Sequence, residues 1–256
     1  MIGSDHLSLL YRKEAPSTYW LPVPMTIAVI IPTFHEEQML SLTLNALADL
    51  KVDEVIVVDG GSQDQTKTIA DRYFNQTNNF HGKTILAPRG RALQMNAGAV
   101  ASQADVLLFL HADTRLPENI RPTIEEVLEN SAAIGGRFDV QFESDRGYAW
   151  LVSRMMNLRS RWTGIATGDQ AIFVRRNIFN QLGGFSNIPL MEDVDFSRRL
   201  KQAGTIVALR SKVTTSFRRW EQGGPLRTIL RMWTLRFLFW IGVKPQTLQQ
   251  FYAPVR

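Results

Sequence analysis

Three acidic residues fall within four positions of the chain, in "MEDVDFSRRL". Glu192, Asp193 and Asp195 come just before or within the first turn of a predicted helix. Acids favour helix N-termini, which is a purely structural explanation. Three acids exceed what capping needs, however, and their mutual repulsion should raise one pKa. Such a carboxylate could act as a general base towards a hydroxyl group. Asp193 and Asp195 should differ in role, since residues two apart on a helix point differently.

Another acid, Asp113, follows the apolar run "VLLFLHAD". The run suits a buried central strand of a parallel sheet, and such sheets bind ligands at the C-terminal ends of their strands. Asp113 is therefore either a turn residue or a ligand of Mg²⁺ or Mn²⁺, cations that prefer oxygen. His111, two positions earlier, either faces the same site or is a core histidine.

Asp59 ends a second apolar run, "VIVVDGGS". It could accept hydrogen bonds from a base or ribose, or from the N–H groups of its own turn. Arg89 and Arg91, in "PRGRALQMNAG", begin a helix where free N–H groups and guanidinium groups suit a diphosphate; the alternative is two solvated arginines. A dehydrogenase is not expected, because strand one ends in "IPTFHEE" without the glycine motif of a nicotinamide site.

A sheet must bring these residues together, and the first half of the chain alternates between two periodicities. We predict strands in "TIAVIIPTF", ended by Pro32, and in "VDEVIVVDGGS", "KTILAP" and "DVLLFLHAD". We predict helices in "EEQMLSLTLNALADL", in "SQDQTKTIADRYF" with Ser62 as N-cap, and in "GRALQMNAGAVASQ". The alternation indicates an α/β fold with a Rossmann-like, mostly parallel sheet and helices on both faces.

After Pro117 the pattern changes, with helices predicted in "PENIRPTIEEVLEN" and "WLVSRMMNLRSRW" and strands in "GGRFDVQFES" and "DQAIFVRR". A basic, aromatic helix without acids follows in 226–243. Its Arg and Trp residues suit an anionic membrane surface. The alternative is that its apolar face packs on the core or on a second subunit as a homodimer.

Composition limits the classes of function. The chain has 256 residues, 45% hydrophobic and 21% charged, as expected of a globular protein. It has no cysteine, which excludes thiolate metal sites and suits the cytoplasm. We find no apolar stretch of the length of a signal peptide core or a spanning helix. The net charge of +5 divides into −6 before Ser197 and +11 from there onward. The basic end could meet phosphate or lipid, but nucleic acid is not expected because no motif for it is present.

Together the motifs "IAVIIPTFHEE", "VIVVDGGSQDQT", "GRALQMNAGA", "LFLHADT" and "GGF…MEDVDFSRRL" resemble family 2 glycosyltransferases in order and rough spacing. They cover Thr26 to Gly204, roughly 70% of the chain. The chain is most similar to a bacterial single-addition subgroup with "GDQ" before a strand, here residues 168–170, and "RRW" after the acidic motif, here 218–220.

That resemblance implies a GT-A fold, an inverting mechanism and a divalent metal, Mn²⁺ or Mg²⁺. Asp113 corresponds to the last acid of the D-x-D motif and would bind that metal on the sugar diphosphate. Asp193, next to Glu192, corresponds to the catalytic base. The nucleotide-sugar site would further include Pro32, Thr33, Glu36, Asp59, Arg89, Arg91, His111, Arg218, Arg219 and Trp220. Of these, 218–220 would form a basic flap over the diphosphate, unless they are surface residues.

The chain departs from the family pattern where His111 replaces the first Asp of D-x-D. Two other classes stay open: a sugar-phosphate nucleotidyltransferase, which should show a Gly- and Arg-rich loop after strand one, and a non-catalytic nucleotide- or membrane-binding module. We predict a lead-in over 1–24, a GT-A domain over 25–222 and a helical appendage over 223–256. The expected partners are a UDP- or GDP-linked sugar and a lipid-like acceptor, with peripheral contact through 226–243 at the inner face of the membrane. The role of Asp169 is not predicted.

Overall fold

The computed structural model describes residues 24–217, residue 220 and residues 223–252. Nearly all of the predicted lead-in, and both arginines at 218 and 219, therefore lie outside the described residues. The side chain of Pro225 is also outside them.

The first half of the chain alternates strands with helices, as predicted. Its elements are β1 (Ile27–Thr33), α1 (Glu37–Leu47), β2 (Glu54–Asp59), α2 (Thr66–Gln76), β3 (His81–Leu86), α3 (Arg91–Ala101) and β4 (Val106–Phe109). The four strands are parallel and lie side by side in the order β3-β2-β1-β4. Their C-terminal ends therefore meet along one edge.

The second half extends this sheet with strands of mixed direction. Its elements are β5 (Thr114–Arg115), α4 (Ile120–Asn130), β6 (Ala133–Phe142), α5 (Gly147–Thr163), a 3₁₀ turn (Gly168–Gln170), β7 (Phe173–Arg175), α6 (Arg176–Gln181), α7 (Glu192–Ala203), β8 (Thr205–Thr215), α8 (Pro225–Trp240) and α9 (Pro245–Gln250). The full order is β3-β2-β1-β4-β7-β6-β8-β5. β7 is antiparallel to β4 and β6, and β5 is antiparallel to β8, while β6 and β8 are parallel.

Helices cover both faces of the sheet, because alternate residues of β1 face opposite layers. Ile27, Val29 and Ile31 pack in a core with residues of α1, α2 and α4. Ala28 and Ile30 pack in a second core with residues of α3, α6 and α7. The expected Rossmann-like architecture with two helical layers is confirmed.

Two local expectations were wrong. Pro32 does not end β1, which continues to Thr33; β4 has already stopped pairing beside Ile30, so the missing N–H of the proline breaks no bond to that neighbour. Ser62 does not cap α2, which begins at Thr66. The Ser62 hydroxyl instead donates to the Asp59 carboxylate and accepts from the backbone N–H of His35 at 3.0 Å.

The C-terminal helix α8 packs on the sheet domain along one side. Leu235, 2% exposed, lies with Leu190 and Met191 in a small apolar cluster just before α7. Ile229 packs against a cluster that contains Val152 of α5. Within the described residues, no helix has the length and apolar character needed to cross a membrane.

Candidate active site

Gln94 of α3 holds the ends of β1 and β2 at a fixed distance from the helix. Its side-chain amide is 3% exposed and donates to the carbonyl oxygens of Thr33 (2.7 Å) and Val58 (2.8 Å), while its oxygen accepts from the N–H of Gly90 at 3.3 Å. The sequence analysis predicted no role for Gln94. The local sequence could not predict this contact, because Gln94 and Thr33 are 61 residues apart in the chain.

Asp59 ends β2 and is buried, 1% exposed. Its carboxylate accepts from the N–H groups of Gly61 (3.1 Å) and Ser62 (2.9 Å), as well as from the Ser62 hydroxyl. The carboxylate thus stabilises its own turn, which was one of the two roles that its sequence context allowed.

The residues after β1 and β3 form one rim of the site. The guanidinium carbon of Arg89 lies 3.9 Å from the centre of the Phe34 ring, and that ring stacks on His35 with centroids 4.2 Å apart. His35 has a φ of 57°, a left-handed conformation rare in non-glycine residues. Glu36 follows as the N-cap of α1, and its backbone N–H donates to the Thr66 hydroxyl at 2.8 Å. Pro32 and Thr33, the last two residues of β1, precede this rim.

Asp113 lies in a tight turn beyond β4, which ends at Phe109 rather than at the acid itself. The carbonyl of His111 accepts from the N–H of Thr114 at 3.1 Å, closing the turn around Ala112 and Asp113. Two side chains fix the turn from outside: the Thr43 hydroxyl donates to the carbonyl of Ala112 (2.5 Å), and the hydroxyl of Thr114 lies 3.0 Å from that of Thr215. Asp113 is half-buried at this position.

His111 faces the site instead of the core. Its Nδ1 atom lies 3.1 Å from Oδ1 of Asp169. Its ring also packs against Gly168, where an added Cβ would lie 2.3 Å from the ring Nε2. Together with Gly168, Glu192 and Asp193, it lines a narrow cavity.

The acidic residues at the start of α7 have separate environments. Asp193 Oδ2 accepts from the backbone N–H of Gly168 at 2.8 Å, so the loop before β7 holds this carboxylate at the cavity. Asp195 instead accepts from Ser186 (2.7 Å) and from Nε of Arg199 (2.9 Å). Asp193 thus lines the cavity while Asp195 bonds to Ser186 and Arg199, so the two carboxylates point into different surroundings, as expected for residues two apart on a helix.

Glu192 carries the raised pKa that the acidic cluster predicted. It is 5% exposed, and burial, followed by repulsion from Asp193, raises the pKa of its carboxyl group. Arg91 opposes the shift, with Nη1 3.9 Å from the Glu192 Oε1 atom. The residue before Glu192, Met191, has a φ of 68° and is buried, so strained backbone marks the start of the helix.

Trp220 packs among aromatic residues. Its ring stacks on Phe217 with centroids 6.1 Å apart and meets Phe142 edge-on, in the cluster beside α5. The two arginines that precede it in the sequence, Arg218 and Arg219, are outside the described residues.

The side chains at this edge suit a metal ion that has only one or two protein ligands. Within the described residues no group of three or more His, Asp or Glu side chains could enclose a cation. Asp113 offers one half-buried carboxylate at the strand ends. Mg²⁺ commonly binds through one or two carboxylates together with phosphate oxygens and water. The donor set therefore fits a cation shared with a diphosphate.

A larger open hollow, of about 710 Å³, lies at the opposite edge of the sheet, where β2 and β3 begin. It is lined by Asp53, Asn79, His81 and Lys83 among others. Ligand chemistry in open α/β sheets lies at the carboxyl ends of the strands, so we place the candidate site at that edge, beside the narrow cavity.

In this α/β fold, acids thus lie at the end of β2, beyond β4 and at the start of α7. The chain belongs to glycosyl transferase family 2, whose sequence model matches residues 28–185.

Curated relatives agree with that assignment. The chain is 28% identical over 222 residues to "Probable glycosyltransferase YdaM" of Bacillus subtilis, an alignment that covers 77% of this chain and half of that protein. It is 30% identical over 195 residues to "PGL/p-HBAD biosynthesis glycosyltransferase" of Mycobacterium bovis, covering 70% of each. The chain thus spans about half the length of the first of these relatives.

Solved structures show the same GT-A fold. TarS of S. aureus matches with a TM-score of 0.59 at 16% identity, over 89% of this chain and 42% of TarS. TarS 1-349 in complex with UDP matches with a TM-score of 0.58 at 19% identity, over 81% and 66%. The mannosyltransferase PcManGT of Pyrobaculum calidifontis, in complex with GDP-Man and Mn²⁺, matches at 0.57 and 18% identity, over 78% and 61%.

Proposed function

We propose that this glycosyltransferase moves a sugar from a UDP- or GDP-linked donor to an acceptor hydroxyl with inversion at the anomeric carbon. The observation that carries this proposal is the position of Asp193: its carboxylate faces the narrow cavity, anchored through one oxygen by the Gly168 N–H at 2.8 Å. Neighbouring structures with UDP and with GDP-Man support the class of donor.

In the proposed reaction, Asp193 accepts the proton of the acceptor hydroxyl as the O–H bond breaks. The hydroxyl oxygen forms a bond to the anomeric carbon from the face opposite the diphosphate. The bond from that carbon to the phosphate oxygen breaks, and the electron pair leaves with the nucleoside diphosphate. A positioned base of this kind contributes typically 10²–10⁴-fold to the rate.

The remaining residues of the proposed site bind the donor. Thr33, Asp59 and the Phe34–Arg89 rim would hold the nucleotide. Asp113 would hold Mn²⁺ or Mg²⁺, and that cation would neutralise charge on the diphosphate. Arg91 lies beside Glu192, where its guanidinium would face the same anion, and the arginines at 218 and 219 remain a proposed flap.

A donor screen tests this function directly. Release of UDP or GDP is measured over a panel of nucleotide sugars with Mn²⁺, Mg²⁺ or EDTA, for wild-type protein and for Asp113→Asn and Asp193→Asn. We expect turnover of one donor that requires metal and falls at least 100-fold in both variants. Turnover that persists in EDTA and in Asp113→Asn would contradict the proposed requirement for a metal ion at Asp113. If the well-folded protein bound no nucleotide sugar, the whole proposal would be overturned.

We also propose that α8 places the enzyme on an anionic membrane. Its exposed side carries Leu226, Leu230, Trp233, Phe237 and Trp240, spaced four and three residues apart. Trp162 of α5, the helix that α8 packs against, is 90% exposed. The two helices contain no acid, and their exposed arginines are Arg154, Arg161 and Arg227. Exposed Trp and Leu residues flanked by Arg are typical of helices that lie in the interface of anionic lipid.

Vesicle sedimentation tests the membrane contact. Wild-type protein should bind phosphatidylglycerol vesicles, and should bind phosphatidylcholine much less, because binding depends on the arginines. Trp233→Ser with Trp240→Ser should release it, while Leu42→Ser, at an exposed apolar position on α1, should not. A dimer in sedimentation equilibrium that the Trp substitutions dissociate would instead make this side of α8 a subunit interface.

A further inference from the structure

Two arginines near the proposed base have buried donor groups without partners. They are Arg159, on α5, and Arg236, on α8. Within the described part of the chain, Nε and Nη2 of Arg159 and Nε of Arg236 are buried and form no hydrogen bond. Nη1 of Arg159 donates to the carbonyl of Ile165 at 3.2 Å, which fixes this guanidinium beside the loop that leads to Gly168.

Such groups are costly in a folded protein. Buried polar atoms are almost always hydrogen-bonded, and an unpaired one in a native structure calls for an explanation such as a bound ion. Burial, followed by repulsion from Arg236, lowers the pKa of Arg159 to about 9. Burial likewise lowers the pKa of Arg236. The fold therefore buries two guanidinium groups that have donor atoms without hydrogen-bond partners.

Two carboxylates influence the pKa of both arginines, and they indicate on which side of the site the arginines lie. The charges of Asp193 and Asp169 partly offset the burial of both guanidinium groups. These acids are the proposed base and its neighbour in the loop. In the proposed reaction the base contacts the acceptor and not the nucleotide, which puts the two arginines on the acceptor side of the proposed site.

We propose that Arg159 and Arg236 bind a phosphate group carried by the acceptor, next to the hydroxyl that Asp193 deprotonates. The proposal rests on the proposed function and adds the class of acceptor. Guanidinium groups bind phosphate oxygens with paired, charge-assisted hydrogen bonds, which would give partners to the three buried nitrogen atoms. A lipid headgroup and a soluble phosphate ester present the same chemistry.

The binding test uses inorganic phosphate and needs no donor. Calorimetry and thermal unfolding are performed on wild-type protein, on Arg236→Gln and Arg159→Gln, and on the control Arg227→Gln, an exposed arginine of α8. Phosphate should bind wild-type and control protein and raise their Tm. Its affinity should fall at least tenfold in Arg236→Gln and Arg159→Gln, since a hydrogen bond to a charged group contributes on the order of 1.5–3 kcal/mol. Equal affinity in all four proteins would overturn the proposal.

A second arm separates the acceptor from the donor. UDP and GDP binding should change less than twofold in the same variants, and saturating nucleotide should not displace phosphate. Competition between nucleotide and phosphate, or a parallel loss of both, would overturn the assignment and give these arginines to the donor diphosphate. If wild-type protein turns over no nucleotide sugar but still binds phosphate through these arginines, the proposed function fails and the anion site stands.

Two further variants guard against a purely structural role. Without phosphate, Arg236→Met should unfold no earlier than wild type, because it removes an unpaired buried charge; a marked loss of stability would show that the arginine serves the fold and would overturn the proposal. Arg236→Lys, which keeps the charge, should weaken phosphate at least threefold by losing the paired geometry. Competition by glycerol 3-phosphate and by dioctanoyl phosphatidic acid then distinguishes a soluble from a lipid phosphate.

Discussion

His111 and Asp169 are joined across the cavity, with His111 Nδ1 3.1 Å from Asp169 Oδ1. The pair connects the end of β4 to the loop before β7, and the next link is the Gly168 N–H that holds Asp193 at 2.8 Å. Family 2 enzymes have an acid in the D-x-D motif where this chain has His111. Here the histidine contacts Asp169, in the loop that bonds to the proposed base.

Substitutions at this pair should lower turnover without abolishing donor binding. We expect His111→Ala to reduce kcat about 10–100-fold with a small change in donor KM, because the base loses its orientation while the nucleotide contacts remain. Gly168→Ala should do the same, since its Cβ would meet the ring at 2.3 Å. In the double variant the clash is gone, so the two effects should not add. Strictly additive losses in kcat would contradict a shared role.

Asp193 and Asp195 provide a matched pair of identical substitutions. Asp193→Asn should lower kcat at least 100-fold and leave the fold intact. Asp195→Asn should keep most of the activity and lower the free energy of unfolding by about 1 kcal/mol, because it weakens the bonds to Ser186 and Arg199. Turnover assays and urea unfolding on both variants test this. If Asp195→Asn lost turnover and Asp193→Asn kept it, Asp195 would be the base.

Glu192 should make stability depend on pH. Burial, then repulsion from Asp193, raises its pKa in the folded protein above the unfolded value, so the folded state keeps a proton that the unfolded chain has already lost. Stability should therefore fall as the pH rises through the window between these values. Glu192→Gln imitates the protonated form and should lack this fall. Thermal unfolding from pH 4 to 9 measures the difference in Tm, which should shift in favour of the variant as the pH rises. A difference that is constant, or of opposite sign, would refute the prediction.

Gln94 should contribute to stability more than a surface glutamine does. Gln94→Leu removes two buried hydrogen bonds, to the carbonyl groups of Thr33 and Val58, at a cost of roughly 0.5–1.5 kcal/mol for each bond. The two carbonyls keep other donors, the N–H of Gly60 (2.9 Å) and the Thr33 hydroxyl (3.3 Å). Gln38→Leu, on the exposed side of α1, is the control and should change stability by less than about 0.5 kcal/mol. Urea denaturation measures both. Equal values for the two variants would show that the amide bonds at 2.7 and 2.8 Å contribute nothing.

Shortening a side chain to alanine should affect stability differently on the two sides of α8. Leu235 is buried at 2% exposure, and Leu235→Ala should lower the free energy of unfolding by about 2–3 kcal/mol. Trp240 is 77% exposed, so Trp240→Ala should leave stability nearly unchanged while it weakens binding to phosphatidylglycerol vesicles. A large loss of stability in Trp240→Ala would mean that this side of the helix is covered in the folded protein.

Local patterns were enough to predict the parallel half of the sheet. β1, β2 and β4 are uninterrupted apolar runs, and the helices between them show a clear period. The acids that follow these runs were therefore placed at the correct edge. β8 was missed because "TIVALRSKVTT" has no long apolar run, and its place depends on pairing with β6. The contact between His111 and Asp169 and the repulsion between Arg159 and Arg236 both involve residues that are far apart in the chain. The local periodicity of the sequence cannot predict such pairs.

The turn that carries Asp113 is stabilised by a residue that is synthesised much later. The Thr114 hydroxyl meets that of Thr215, 101 positions further along the chain, and β5 exists only as the partner of β8. At a translation rate of about 5–20 residues per second, this partner leaves the ribosome several seconds after the turn. A nascent chain would therefore form its parallel strands before the turn that carries Asp113 was complete. A ribosome-bound fragment that ends near residue 200 should be folded in its first half yet inactive.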